Sequence, residues 1–201
     1  MIKTNRQMQK EETRAKIVRA AYEEFGKHGI LATRMCDVAT AAAVSHGTVF
    51  VHFETQEVLI SAVIEEYGGK IALRTHQLSD GCASIRDILT AHLNGIMEYE
   101  PFYRRIVMES PFLPPTAQST LVSIQSAISF HLSLAFEQGI AAGTIVHTPI
   151  PLLFNTWIGL VNYYLMNENL FAPGGNVMER YGETLINHYL RLITVKPTEI
   201  L

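Results

Sequence analysis

Eight histidines and two cysteines are the residues of this 201-residue chain best suited to ligate metal or carry protons near neutrality, and their spacing decides what they can do. Structural zinc and disulfide frameworks need thiolates or Cys/His clusters at short, regular spacing. Cys36 and Cys82 stand alone, so neither is expected, and no metal or cofactor is expected elsewhere. Glu24 and His28 lie four apart on one helical face and could formally share an ion, but no second acidic or histidine cluster joins them. A surface pair is the better account. No G-x-S-x-G, H-E-x-x-H, G-x-G-x-x-G or G-x-x-x-x-G-K-[ST] occurs, so enzymatic readings find no nucleophile, zinc or phosphate motif.

A different chemistry resides in Ser45-His46-Gly47-Thr48-Val49-Phe50-Val51-His52-Phe53. Ser45 can cap a short helix from His46 to about His52. Val49 and Phe53, four apart, anchor it inward and leave His46, Thr48, Phe50 and Val51 toward solvent. Gly47 costs a helix about 1 kcal/mol relative to Ala, which close approach of the backbone to a partner would justify. A frayed first turn is the bland alternative. In a helix-turn-helix the first residues of the second helix meet base edges in the major groove, which places His46, Gly47 and Thr48 there.

The elements that must position this segment are helical throughout. Ile17, Ala21 and Phe25 recur at i, i+4, i+8 and predict a helix over about 11–28, stopped by Gly29. Thr33 reads as the N-cap of a short helix carrying Met35, Val38, Ala39 and Ala42. Thr55 opens a helix over about 56–78, and Ser84 with Asp87 one to about Tyr99. Pro101 starts a short helix through about Glu109, and Pro111, Pro114 and Pro115 enforce a loop. Further helices are expected at about 116–141, 149–167 and 176–194. The fold class is therefore all-α, with residues 1–54 as a head, residues 1–10 of it a basic tail, and 55–201 as a helical body.

Hydrophobic residues make up 48% and charged residues 17%, which excludes disorder. The net charge of −3 argues against indiscriminate polyanion binding, yet residues 1–20 hold six cations against two acids. The positive end is the N-terminus. A tail of Lys3, Arg6 and Lys10 reaches an anionic partner or merely solubilises; both readings stand. The start has no apolar run of secretory type, and a reduced cytoplasmic setting fits the cysteines. Residues 110–167 contain a single charged side chain, Glu137. Polar and helix-breaking residues interrupt both halves, so a buried helix pair is expected and no membrane span.

The stretch from Thr13 to Val63 resembles the DNA-binding domain of the TetR family of transcriptional regulators. Ala20-Ala21, Phe25, Gly29, Thr33, Val38-Ala39, Ala43-Val44, Gly47, Phe50, His52-Phe53 and Leu59 stand at the family's pattern positions, over about a quarter of the chain. The resemblance implies a homodimer on a pseudo-palindromic double-stranded operator, usually a repressor released by a small effector bound in the helical body. It implies that Thr33 and Arg34 meet phosphate, that Ser45, Thr48 and His52 hold the backbone, and that His46 and Gly47 sit nearest the bases. The chain departs from the pattern where the family often has Lys for His46, Tyr for Phe50, and Lys or Arg near Glu54 and Gln56. A histidine for a permanent cation suggests pH-dependent binding, which an operator affinity flat between about pH 5.5 and 8 would exclude.

Effector residues are expected among His92, Phe102, Met108, Phe112, Gln125, His131, Trp157 and Asn162, with a mostly apolar effector matching the scarcity of charge. Arg104-Arg105 is a weaker candidate for a carboxylate. Aromatic and Met residues at helical spacing are more often ordinary core. The helix at 149–167 is apolar nearly all round, with Leu153, Trp157, Leu160 and Tyr164 in one stripe, and so needs neighbours on both sides. Leu153, Leu160, Tyr164, Tyr181, Leu185 and Tyr189 are accordingly expected at a dimer interface. Two alternatives remain: a DNA regulator without an effector, and a helical enzyme turning over a lipid-like substrate.

Overall fold

A computed structural model describes residues 4–79 and 84–195, apart from the side chain of Ser79. Lys3 of the basic tail and Cys82 lie outside them. The helices are α1 (Asn5–His28), α2 (Met35–Ala41), α3 (His46–His52), α4 (Gln56–Ser79), α5 (Ile85–Met97), α6 (Glu100–Glu109), α7 (Pro115–Ala141), α8 (Ile150–Met166), α9 (Glu168–Phe171) and α10 (Val177–Ile193). Among the described residues there is no strand, only an isolated bridge between Ile145 and Thr194. The all-α expectation holds. The boundaries follow sequence closely except at the start, where α1 begins at Asn5, capped by Thr4 through a capping box with Gln7. Arg6 and Lys10 are therefore helical residues.

Packing divides the described chain into two compact units, residues 4–69 with 101–123, and residues 70–100 with 124–195. The units are not consecutive in sequence, because α6 packs with the head helices.

In the first unit, α1 buries Ile17, Val18, Ala21 and Phe25. Tyr22 stacks on Tyr67 with ring centroids 3.8 Å apart, and Phe102 meets both edge-on. The connection after α1 turns at Gly29, whose φ of 102° lies where a side chain is strained. Helix α6 holds that turn at both ends. Arg105 donates to the carbonyls of Gly26 and Lys27, while the Glu109 carboxylate accepts from the amides of Ile30 and Leu31 at 3.2 and 2.8 Å. Arg105 thus caps a helix end rather than awaiting a carboxylate ligand.

In the second unit, α10 packs on α5 and α8. Gly95 lets α5 approach α4 closely, since a Cβ there would lie 2.6 Å from Thr75 Oγ1. Asn176 caps α10 through the Glu179 amide, and the buried Glu100 carboxylate accepts from Val177 and Met178 at 2.6 and 3.0 Å. Those bonds satisfy the three leading amides of α10.

Helix α7 corrects one expectation. By length and composition alone it is long and apolar enough to cross a membrane, with an 18-residue window of mean hydropathy 1.2, and that window is largely unburied. Ser119, Thr120 and Ser123 donate to carbonyls four residues back, so their hydroxyls are satisfied within the helix. Val122, Phe130 and Leu134 are exposed.

Candidate nucleic-acid interface and effector residues

Helices α2 and α3 meet through a tight turn in which Ala43 takes a φ of 48° and Val44 donates to the Ala39 carbonyl. Ser45 then caps α3: its hydroxyl accepts from the Thr48 amide at 3.0 Å and lies 2.7 Å from the Thr48 hydroxyl. Val49 and Phe53 are fully buried, as their spacing requires. The opposite face presents His46, Gly47, Phe50 and Val51, with Val51 73% and Phe50 41% exposed. Such exposure of neighbouring apolar side chains is unfavourable unless a partner covers them. A Cβ at Gly47 would meet nothing nearer than Ser45 Oγ at 3.8 Å, so packing within the protein does not demand glycine there.

The cations beside α3 come from α1. Arg6, Lys10 and Arg14 recur every fourth residue and share one face of that helix. The Arg14 guanidinium sits 5.1 Å from the centroid of the Phe53 ring. Burial lowers the pKa of His52, and the charges of Lys10 and Arg14 depress it further, so both cations lie close enough to act on the C-terminal end of α3. Sequence reasoning missed Lys10 and Arg14 as a pair with α3. The signal was the four-residue repeat, concealed by starting α1 at residue 11.

Thr33 requires correction. It is buried, and its hydroxyl donates to the Gly29 carbonyl at 2.7 Å, so it neither caps α2 nor faces a phosphate. The capping position is Arg34, whose amide donates to the Asp37 carboxylate at 2.9 Å. That amide bond chiefly holds the Asp37 carboxyl below its usual range, and the Arg34 guanidinium adds to it. The Arg34 side chain is exposed. Gln56 ties the start of α4 to the Thr33 carbonyl at 2.9 Å. Glu24 and His28 form the surface pair, at 3.5 Å.

The eight expected effector residues fall in both units, Phe102, Met108 and Phe112 in the first and the other five in the second. Phe102 belongs to the aromatic cluster with Tyr22 and Tyr67; Met108, Phe112 and Gln125 are exposed. His131 pairs with His76 on α4, with ring nitrogens 2.9 Å apart. His92 and Trp157 do come together, fully buried, the indole N–H donating to His92 Nδ1 at 3.1 Å. His92 Nε2 and Asn162 Oδ1 are buried polar atoms without a hydrogen-bond partner. Two such atoms require explanation, since buried polar groups are normally paired.

Burial pushes the pKa of His92 down to about 4, so the ring is neutral when folded and protonates readily only when unfolded. The unfolded chain therefore binds the extra proton first as pH falls below about 6.5, and stability declines from there toward pH 4. Urea unfolding is expected to give about 2 kcal/mol less stability from this residue at pH 5 than at pH 7. His92→Gln, which keeps an acceptor without the titration, is expected to flatten that decline; an equally steep decline would count against the assignment.

The dimer-interface expectation also changes. Leu153, Leu185 and Tyr189 belong to the protomer's own core, and the Tyr189 hydroxyl donates to the Leu153 carbonyl at 2.7 Å. Leu160, Tyr164 and Tyr181 are half-buried. The exposed face of α8 runs instead through Leu152, Thr156, Gly159, Tyr163 and Met166.

Residues 17–63 match the family model for bacterial regulatory proteins of the tetR family. The likeness to that family covers the head segment from α1 into α4. An HTH-type transcriptional repressor of Mycobacterium tuberculosis is 39% identical over 67 residues, which are 33% of this chain and 36% of that protein. A probable acrEF/envCD operon repressor of Escherichia coli is 27% identical over 90 residues, 45% of this chain and 34% of that one. The chain thus matches about a third of the length of these relatives. Solved structures reach further: FadR of Bacillus subtilis, in complex with stearoyl-CoA, has a TM-score of 0.73 at 14% identity, covering 88% of this chain and 97% of that one. A regulator of Saccharomonospora viridis, in complex with choline, has a TM-score of 0.76 at 14% identity, covering 92% and 100%. At such identities the likeness concerns fold: a tetR-type head followed by a helical body.

Proposed function

We propose that the protein is a TetR-type transcriptional regulator and not an enzyme: a cytoplasmic repressor that binds a palindromic operator as a homodimer and is released by a small, mostly apolar effector. The observation that carries this reading is the outward face of α3, unpartnered and apolar, beside the cationic row of α1. In this reading His46, Gly47 and Phe50 approach the bases, Ser45, Thr48 and His52 support the helix against the backbone, and Arg34, Lys10 and Arg14 meet phosphates. Thr33 acts only by shaping the turn. The dimer forms through α8 and α10, with the Leu152-Thr156-Gly159-Tyr163 face against its copy.

The effector enters the body near His92 and Trp157, where the unpaired His92 Nε2 supplies a polar anchor in apolar surroundings. Two solved relatives hold stearoyl-CoA and choline, ligands of different chemistry, which supports a body of this fold as a ligand site. A ligand that weakens operator binding must itself be bound more weakly by the operator complex, so equal effector affinity with and without operator would refute release by effector.

The deciding experiment is capture of sheared genomic DNA from the protein's own source across a salt series, followed by sequencing. A recovered palindrome supports the regulator; no specific retention at low salt, with or without candidate effectors, refutes it. Replacing both Lys10 and Arg14 by Ala is expected to reduce the slope of log affinity against log salt by about 2, near 0.9 for each phosphate no longer neutralised. An unchanged slope would place the phosphate-binding cations elsewhere.

A further inference from the structure

We infer that α3 selects its operator through thymine methyl groups, with Val51 and Phe50 as the specificity-determining residues. The inference rests on the regulator reading and adds to it the class of base recognised. Direct readout of guanine in the major groove uses Arg or Lys, and of adenine Asn or Gln. The outward face of α3 has none of these: it consists of His46, Gly47, Phe50 and Val51. The Thr48 hydroxyl is already engaged with Ser45. Phe50 and Val51 are consecutive and both open to solvent.

The apolar feature that a base pair offers in the major groove is the thymine C5-methyl group, and apolar side chains meet it by contact. The His46 ring packs edge-on against Phe50, with centroids 4.9 Å apart, and restrains that side chain on the outward face. Gly47, where a Cβ would meet only Ser45 Oγ, at 3.8 Å, lets the backbone come close enough for short side chains to reach. Charge and sequence reading are thereby separated. Lys10 and Arg14 flank the far end of α3 and provide attraction without base information, while α3 reads shape and methyl groups.

The test uses the full-length protein and the operator recovered by genomic capture. Each thymine of a half-site is replaced in turn by deoxyuridine, which removes the methyl group and keeps every hydrogen-bonding edge. At one or more positions affinity is expected to fall about four-fold per methyl, the worth of burying one carbon-sized apolar group. Cytosine placed at such a position should gain a similar factor when methylated at C5. Val51→Ala, at a site too exposed to affect folding, should narrow the difference between thymine and uracil at its position; an undiminished difference at every thymine would remove Val51 as the reader. An operator bound equally with uracil at every thymine would overturn the inference and leave the regulator reading intact. Failure to recover any specific sequence would overturn both.

Discussion

Glu100→Ala is expected to lower the unfolding free energy by about 3–5 kcal/mol, the largest single-residue effect in the body outside its hydrophobic core. The carboxylate is buried and takes the amides of Val177 and Met178, both of whose residues are themselves buried. Its removal strands two donors where water does not reach, each at about 1–3 kcal/mol, and leaves a void. Glu100→Gln keeps one acceptor and is expected to lose roughly half as much. Urea unfolding of the three proteins at pH 7 checks the order. A Glu100→Ala protein within about 1 kcal/mol of the parent would mean that these amides find other acceptors.

The second effect lies in the head. Glu109→Ala releases the amides of Ile30 and Leu31, immediately beyond the Gly29 turn that leads into α2. A loss of about 2–4 kcal/mol follows from two charge-assisted hydrogen bonds, or roughly 5–15 °C in melting temperature for a chain of this size. Operator affinity should fall with it, because the turn sets the direction of α2 and hence of α3. Arg105→Met, which leaves the carboxylate in place, should cost less than half as much. If Glu109→Ala lowered the melting temperature but left operator affinity unchanged, the turn would be stabilising without positioning α3.

What was legible in the sequence was local. The Ser45 cap, the inward Val49 and Phe53 and the stop at Gly29 depend on spacings of three or four residues within one helix or turn, and the structure reproduces each. Thr33 was misread because threonine before a short helix suits both an N-cap and a bond back to the preceding carbonyls, and tertiary context selects the second. The hydrogen bonds of Glu100 and Glu109 span 77 to 79 residues and carry no periodic signal. Leu153, Leu185 and Tyr189 were assigned outward because an apolar stripe states only that something covers it, and the protomer's own core makes the same demand as a partner. Effector residues fared worst: aromatic side chains suited to a pocket are equally suited to a core, and only burial with an unpaired polar atom distinguished His92.

The long reach of the two glutamates also bears on how the chain is made. At about 5–20 residues per second, the residues of α3 leave the ribosome several seconds before Glu109 is synthesised, and Glu100 waits about 4–15 s for Val177. The nascent head therefore emerges with its α1–α2 turn unsecured. Chaperone capture or slow handling is expected in that interval, and pausing just before the codon of Glu109, with α3 already emerged, should harm the yield of soluble protein more than pausing late in α8, after Ser123, the last residue of the head unit, has cleared the exit tunnel.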